Sequence, residues 1–482
     1  MRIALLMPSW LPEDIFPTKT ARSQVNYWQP LGVLYVAASL LEDGHDVRFF
    51  DGSFLGHDEL MKRVRWYKPE MVGIYSNTPL WKKAKKTAAA VKSLDEDTYV
   101  VVGGPYPIAK GETALEECRS IDAAVTGEGE RTAVEIARRV EKRENLEGVR
   151  GCVYRDNDAV KRNPPMPLIK NLDSIPFPAR NLLEDPDLYV PPLGTYKKKP
   201  VATVITSRGC DSRCIYCFQI GKERMIRYRS VENVMEELEL CLEQGYREIR
   251  FLDDTFTGDY DRAMRIAKEI KSRGLDFSWY VSSRVNTVDE KLLRAFKEAG
   301  CWAILYGAES GVQKNLNTLK KGITLDQTRR AVKAAKKAGL KVCLPFIFGI
   351  PGETYEEALK TIDFACELDP DFANFHTLAP FPGTELYEKA GEMGTVSGNL
   401  EDFTFEGTAF IPHSMSREEI ELLRSIAFRR FYSRPRFILK KLLGVRSRDD
   451  LKMVTGGLKS LFWIWVKKDL FRLRGDKNKK AS

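Results

Sequence analysis

Two blocks of alternating strand and helix patterns fill most of the chain. In the first, Ile3–Met7, Asp46–Phe50, Met71–Tyr75, Tyr99–Val102 and Ala123–Val125 are short apolar runs with the length of buried strands. Between them, Leu31–Asp43, His57–Arg65, Leu80–Leu94 and Glu130–Glu141 repeat apolar residues at helical spacing. Such alternation predicts an open parallel sheet wound on both faces, with ligands beyond the carboxyl ends of its strands. The second block gives strands over Val201–Thr206, Glu248–Leu252, Phe277–Ser282, Trp302–Tyr306, Lys341–Phe348 and Phe372–Thr377. The helices between them are Ser230–Gln244, Tyr260–Arg273, Asp289–Ala299, Leu325–Ala338 and Thr354–Leu368, four of them stopped by Gly245, Gly274, Gly300 and Gly339. Six strands predict a partial (β/α)6 barrel, so the fold class is α/β throughout and function is expected at strand ends.

Proline clusters at Asn163–Pro167, Ile175–Pro178 and Val190–Pro192 break regular structure between the blocks. The chain therefore divides into a doubly wound domain (1–145), a linker (146–195), a barrel (196–395) and a basic, largely helical region (396–482). Its 482 residues, 43% apolar and 30% charged, suit two or three folded domains. Nine cysteines, mostly scattered singly in apolar surroundings, read as reduced thiols of a cytoplasmic protein. Met1–Met7 ends at Pro8 without a cleavage-site pattern and reads as a first strand.

The exception to the scatter is Ser207-Arg208-Gly209-Cys210-Asp211-Ser212-Arg213-Cys214-Ile215-Tyr216-Cys217-Phe218. Three cysteines on a loop leaving a strand can turn their sulfurs to one metal centre, as Fe–S ligands do. Three thiolates on a four-iron cluster leave one iron open. A structural zinc site would need a fourth ligand, yet no histidine lies within 150 residues and no partner pair of cysteines follows.

The C-x3-C-x2-C spacing with Tyr216 before the last cysteine resembles the radical S-adenosylmethionine (SAM) superfamily. A doubly wound, flavodoxin-like domain ahead of such a loop resembles its cobalamin (B12)-binding members, the branch of magnesium-protoporphyrin cyclases, hopanoid and lipid-modifying enzymes and P-methylases. The resemblance implies a 4Fe-4S cluster on Cys210, Cys214 and Cys217, which reductively cleaves SAM. It implies SAM contacts at Tyr216, Ser282, Arg284 and Glu309, with Gly349 and Gly352 near adenine. Cobalamin would lie against Gly103-Gly104-Pro105 and Gly127-Glu128-Gly129. The Asp-x-His-x-x-Gly motif is absent, since Asp51 is followed by Gly52-Ser53-Phe54-Leu55-Gly56-His57; any cobalamin would carry no histidine on cobalt, and loss of cobalamin stays open. Leu172–Arg180 resembles the family's connector.

The family reading implies methyl transfer or cyclisation at an unactivated carbon and an electron donor such as flavodoxin or ferredoxin. A corrinoid sensor with a structural cluster is the alternative from another class. From Arg429 to Ser482 the chain has 17 Lys/Arg against 4 Asp/Glu, so the basic character belongs to the tail. Leu458–Lys468 sets aromatics between lysines, which suits either an interfacial helix at the inner face of a membrane or a helix packed on the barrel. The first option favours a lipid, hopanoid or tetrapyrrole substrate over a small polar one. No RNA-binding module accompanies the charge, so nucleic acid is not an expected partner.

Overall fold

Two sheets, each built from apolar strands with buried faces, carry the chain in a computed structural model that describes residues 1–11, 27–191, 195–221, 224–404 and 407–443. The first contains β1 (Arg2–Met7), β2 (Asp46–Asp51), β3 (Met71–Tyr75), β4 (Tyr99–Gly103), β5 (Ala123–Val125), β6 (Cys152–Asp156) and β7 (Ala159–Arg162), in the order β2-β1-β3-β4-β5-β6-β7. Its first five strands are parallel and bury both faces under helices, while β6 and β7 add an antiparallel hairpin.

The second sheet contains β8 (Val201–Val204), β11 (Glu248–Phe251), β12 (Ser278–Ser283), β13 (Cys301–Tyr306), β14 (Lys341–Phe348) and β15 (Phe372–Thr377); β9 (Ser207–Arg208) and β10 (Arg227–Tyr228) form a separate pair. Its order, β15-β14-β13-β12-β11-β8, leaves β8 and β15 as edges, so the barrel is open. Outward residues such as Phe251, Trp279, Ile304 and Phe346 form the core under the helices. Gly245, Gly274, Gly300 and Gly339 all have positive φ, the conformation that ends a helix with least strain. A short antiparallel pair, β16 (Gly394–Val396) with β17 (Phe410–Pro412), and the helices Arg417–Tyr432 and Pro435–Leu443 follow.

Two expectations need correction. The stretch from residue 146 is not free of regular structure, because β6 and β7 extend the first sheet to Arg162. The helices Pro105–Glu116 and Gln313–Thr318 are additional to those expected. Pro105 and Pro107 look like breakers, but a proline in the first turn removes only an amide that has no helical partner. The aromatic stretch Leu458–Lys468 lies outside the described residues; among those described, no helix is long and apolar enough to cross a membrane.

The Pro-rich connector is packed between the domains. Ile169, Leu172 and Ile175 join Leu31 and Tyr35 of the first domain against Ile205 and Leu252 of the barrel. Edge strand β8 is covered on the same side: Gln29 Oε1 accepts Thr203 N (3.1 Å), and Arg180 donates to Thr203 O (2.6 Å). Arg180 and Arg229 share Glu237, all three buried, and the two guanidinium groups outweigh burial to hold its carboxyl below the usual range. Glu237→Gln should lower unfolding free energy by about 3–5 kcal/mol, since it leaves two cations buried without their partner. Urea denaturation compared with the unaltered protein measures this.

Candidate functional site

The cysteine loop is pinched at its base. Arg208 and Ser207 of β9 pair with Arg227 and Tyr228 of β10, which closes the base of the excursion that carries the cysteines. Gly209 has φ +90°, and a Cβ there would lie 2.4 Å from Met225 O. Asp253, fully buried after β11, accepts from Thr206 N (3.2 Å), Thr206 Oγ1 (2.7 Å) and Ser207 Oγ, while Arg262 donates to Thr206 O (2.9 Å). That carboxylate therefore fixes the strand that carries the cysteines.

The structure brings two of the three sulfurs together. The Cys217 thiol donates to Cys214, which, against burial and with help from Lys321 and Arg284, lowers the Cys214 thiol below its ordinary range. Cys210 Sγ instead faces Thr255 Oγ1 at 3.8 Å. Three thiols on one loop are the donor type of an Fe–S cluster, but among the described residues no three such side chains are gathered around one point. Beside the loop is a cavity of about 610 Å³ lined by Asp211, Arg213, Thr255, Arg284, Lys320 and Lys321 among others. Its size suits a nucleoside-bearing cosubstrate.

Glu309 stands at the end of β13 with φ +60°, held by a backbone exchange in which its N–H donates to Pro345 O (3.0 Å) and its carbonyl accepts from Ile347 (2.8 Å). Its carboxylate accepts from Lys321 Nζ at 2.6 Å, and both groups are nearly buried. A Cβ on Gly307 would come within 2.4 Å of Glu309 Oε1 and 2.5 Å of Lys321 Nζ, so the pair occupies the space that this glycine leaves. Tyr216 OH lies 3.5 Å from Lys321 Nζ, and burial followed by the Glu309 charge pushes its phenol up. Arg284 donates to Lys321 O (2.5 Å), whereas Ser282 Oγ points down the barrel and receives a 3.5 Å contact from Arg250. Sequence reasoning missed Lys321, because Lys320-Lys321-Gly322 after a short helix has the look of a solvated turn.

Gly349 and Gly352, both at positive φ, wind the chain around Glu353. Its carboxyl accepts from Gly349 N (2.9 Å), Ile350 N (3.3 Å) and Asn315 Nδ2 (2.9 Å).

Across from the barrel, Cβ atoms built on Gly103 or Gly127 would meet nothing within 4 Å, so the space over both turns is open. Gly104 has φ +105°, and its missing Cβ would strike Ser76 O at 2.5 Å. An open floor of two glycine turns fits a broad, flat ligand such as a corrin. Glu128 does not line that floor with its carboxylate. It accepts from Arg227 (2.9 Å), Arg208 (3.2 Å) and Ile169 N (2.7 Å), and Arg208 also reaches Glu130. Burial opposes its charge, but these donors hold the carboxyl below its ordinary range. Gly129 packs tightly, its Cβ position lying 2.9 Å from Val36.

The cysteine loop over an open parallel barrel thus faces the glycine turns of a second parallel sheet, an α/β pair of sheets that meet at their carboxyl ends. The sequence matches the radical SAM superfamily over residues 204–365 and the B12 binding domain over residues 19–137. It is 39% identical over 459 residues to an uncharacterized methyltransferase of Pyrococcus horikoshii, covering 92% of this chain and 95% of the relative. It is 29% identical to an anaerobic magnesium-protoporphyrin IX monomethyl ester cyclase of Rubrivivax gelatinosus, covering 90% and 78%. Its fold is shared with the radical SAM methyltransferase TsrM from Kitasatospora setae, at TM-score 0.68 and 20% identity over 87% and 84% of the two chains. The chain belongs to the radical SAM superfamily, in the branch that carries a B12 binding domain. It is a radical SAM enzyme, and the cofactors of that branch are a 4Fe-4S cluster, SAM and cobalamin.

Burial pushes the Glu353 carboxyl up from 4.5 to about 8. The folded protein thus retains a proton that the unfolded chain loses above pH 4.5, and stability falls as pH rises through this window. Glu353→Gln should flatten that fall, which is on the order of 5 kcal/mol from this group. Chemical unfolding at pH 5, 6.5 and 8 gives the comparison.

Proposed function

We propose that Cys210, Cys214 and Cys217 hold the cluster, and that Tyr216, Ser282, Arg284, Glu309, Gly349 and Gly352, joined by Lys321, form the SAM site. Gly103, Gly104, Pro105, Gly127 and Gly129 frame the corrin, with Glu128 fixing that frame to the barrel. The B12-binding unit runs to Arg162 in this reading, followed by the connector and the barrel. The observation that carries it is the cavity of about 610 Å³, which joins the cysteine loop to the cationic wall of Arg284 and Lys321.

When bound, these groups supply an electron that cleaves SAM into methionine and a 5′-deoxyadenosyl radical, and a cobalt-borne methyl group. The chain's own residues bind and orient. Glu309 accepts from the ammonium of SAM, Lys321 holds that carboxylate in place through their ion pair, and Arg284 attracts the SAM carboxylate. Asp253 prevents the cysteine strand from shifting during the reaction.

The substrate is a small molecule with an apolar body, such as a lipid, hopanoid or tetrapyrrole, and the outcome is methylation or cyclisation. The named substrate class of the cyclase relative is a magnesium tetrapyrrole ester. Exposed Arg213 and Arg224 beside exposed Cys217 suit an acidic one-electron carrier such as flavodoxin or ferredoxin. Exposed Leu439, Leu442 and Leu443 on the last described helix, followed by the basic tail, support peripheral contact with an anionic membrane.

Anaerobic reconstitution with iron and sulfide, followed by SAM and dithionite, should yield 5′-deoxyadenosine and bound cobalamin. Cys214→Ser should abolish the product, and Lys321→Met should weaken SAM binding tenfold or more with iron content unchanged. A fully loaded cluster that leaves SAM intact would favour the sensor. Deletion of residues 444–482, which spares the packed helices, should release the protein from phosphatidylserine vesicles in co-sedimentation; unchanged partitioning would remove the membrane contact.

A further inference from the structure

The inward positions of the barrel separate into an open upper part and a buried lower part. Leu252, Ser282, Leu305, Pro345, Asn374 and His376 alternate with fully buried outward residues, yet each is only half-buried. A barrel filled by its own side chains would bury both sets. Part of each of these side chains here stays exposed, and Leu252, Leu305 and Pro345 make that surface apolar.

Below this space lies Arg250. It points inward from β11, is 7% exposed, and stacks one face of its guanidinium on Tyr280 at 3.2 Å from the ring centroid. Trp28 lies at 5.8 Å. Stacking uses the face of the ion, whereas its N–H donors lie in the plane. Nε and Nη1 have no hydrogen-bond partner among the described residues, and Nη2 has one long contact, at 3.5 Å to Ser282 Oγ. Glu248, the inward carboxylate one layer lower, is already engaged by Trp302 Nε1 (2.7 Å), by the amides of Lys197 and Lys198 (2.9 Å each) and by Ser278. Burial of an unpaired cation is costly, and a cation–π contact offsets only part of it. An oxyanion in the plane of the guanidinium would complete the pairing.

We propose that Arg250 anchors an oxyanionic group, a carboxylate or a phosphate, at one end of the substrate, whose apolar body rises along Leu252, Leu305 and Pro345. Arg250 is three residues before Asp253, so the anchor lies roughly 10 Å below the level of the cysteine strand. That distance leaves room for the body of an amphipathic molecule to bring its far end to the reacting level. The proposal rests on the radical SAM reading of this site and names the chemistry of its substrate.

The test uses the full chain and three probes that share an apolar body: octanoate, octyl phosphate and octanol, each below its micelle-forming concentration and at fixed ionic strength. Binding is read from tryptophan fluorescence, since Trp28 and Trp302 border the site. The unaltered protein should bind at least one anionic probe tenfold or more tightly than octanol, and the stronger anion identifies the head group. Arg250→Gln should make the three probes alike, while Arg250→Lys should keep a reduced preference. Equal binding by the unaltered protein, no binding, or a preference that survives in Arg250→Gln would overturn the proposal. If Arg250→Gln does not fold, the unaltered protein and Arg250→Lys decide it. The readout uses neither SAM nor the cluster, so its failure is distinct from a failure to form 5′-deoxyadenosine.

Discussion

Parallel sheets offer their chemistry only at the carboxyl ends of their strands, so two such sheets can share one reaction only if those ends face each other. The interaction that fixes this arrangement is the buried carboxylate of Glu128. It leaves the turn after β5 in the first sheet and is met by Arg208 and Arg227, the two residues paired across the base of the cysteine loop, and by the amide of Ile169 in the connector. One side chain thereby ties together the glycine floor, the linker and the cysteine loop. Buried ion pairs add little net stability over well-packed apolar groups, but a misplaced one is costly, so this arrangement specifies geometry more than it adds free energy. Lys110 with Tyr387 (2.9 Å) and the close approach of Gly383 to Ala109 repeat the contact at the opposite rim.

Much of this was legible from residue pattern. The strands of both sheets follow from apolar runs with regular helical insertions, because burial on two faces leaves no room for polar residues. The cysteine loop was visible because three soft ligands at fixed spacing have few other uses. The hairpin Cys152–Arg162 was not, since two short strands that join an existing sheet draw their stability from β5 and not from their own sequence. The helix Pro105–Glu116 was hidden by prolines that act as starters in the first turn. Glu128 was legible as part of a turn, but a local pattern cannot report which distant arginine a carboxylate will meet. Lys321 was missed for the same reason.

The site also shows how charge is kept available inside a buried wall. Glu309 and Lys321 form a nearly buried ion pair, and Gly307 supplies the volume for both. Asp253 and Glu353 are treated differently: each is buried and wrapped by donors, and each holds a backbone turn in place, with burial pushing its carboxyl up. Carboxylates at successive strand ends thus divide between one paired with Lys321, which lines the cavity, and structural acids that hold turns.

Arg250 belongs to neither set. It lies on the inner face of a strand whose outer residues, Ile249 and Phe251, are core, and its nearest inward neighbour of opposite sign has satisfied its own hydrogen bonds elsewhere. A guanidinium used only to fill volume could have its donors met by strand-end carbonyls, as those of Arg229 and Arg262 are in the same domain, while Arg180 of the connector is compensated by the Glu237 carboxylate. Those three also have a carboxylate beside them, Glu237 or Asp253, whereas Arg250, which points into the lumen, has no ion-pair partner among the described residues and two in-plane nitrogens without an acceptor. An apolar wall above a cation with unspent hydrogen-bonding capacity is the polarity of a receptor for an amphipathic anion, and it orients such a molecule with its uncharged end toward the cysteine loop.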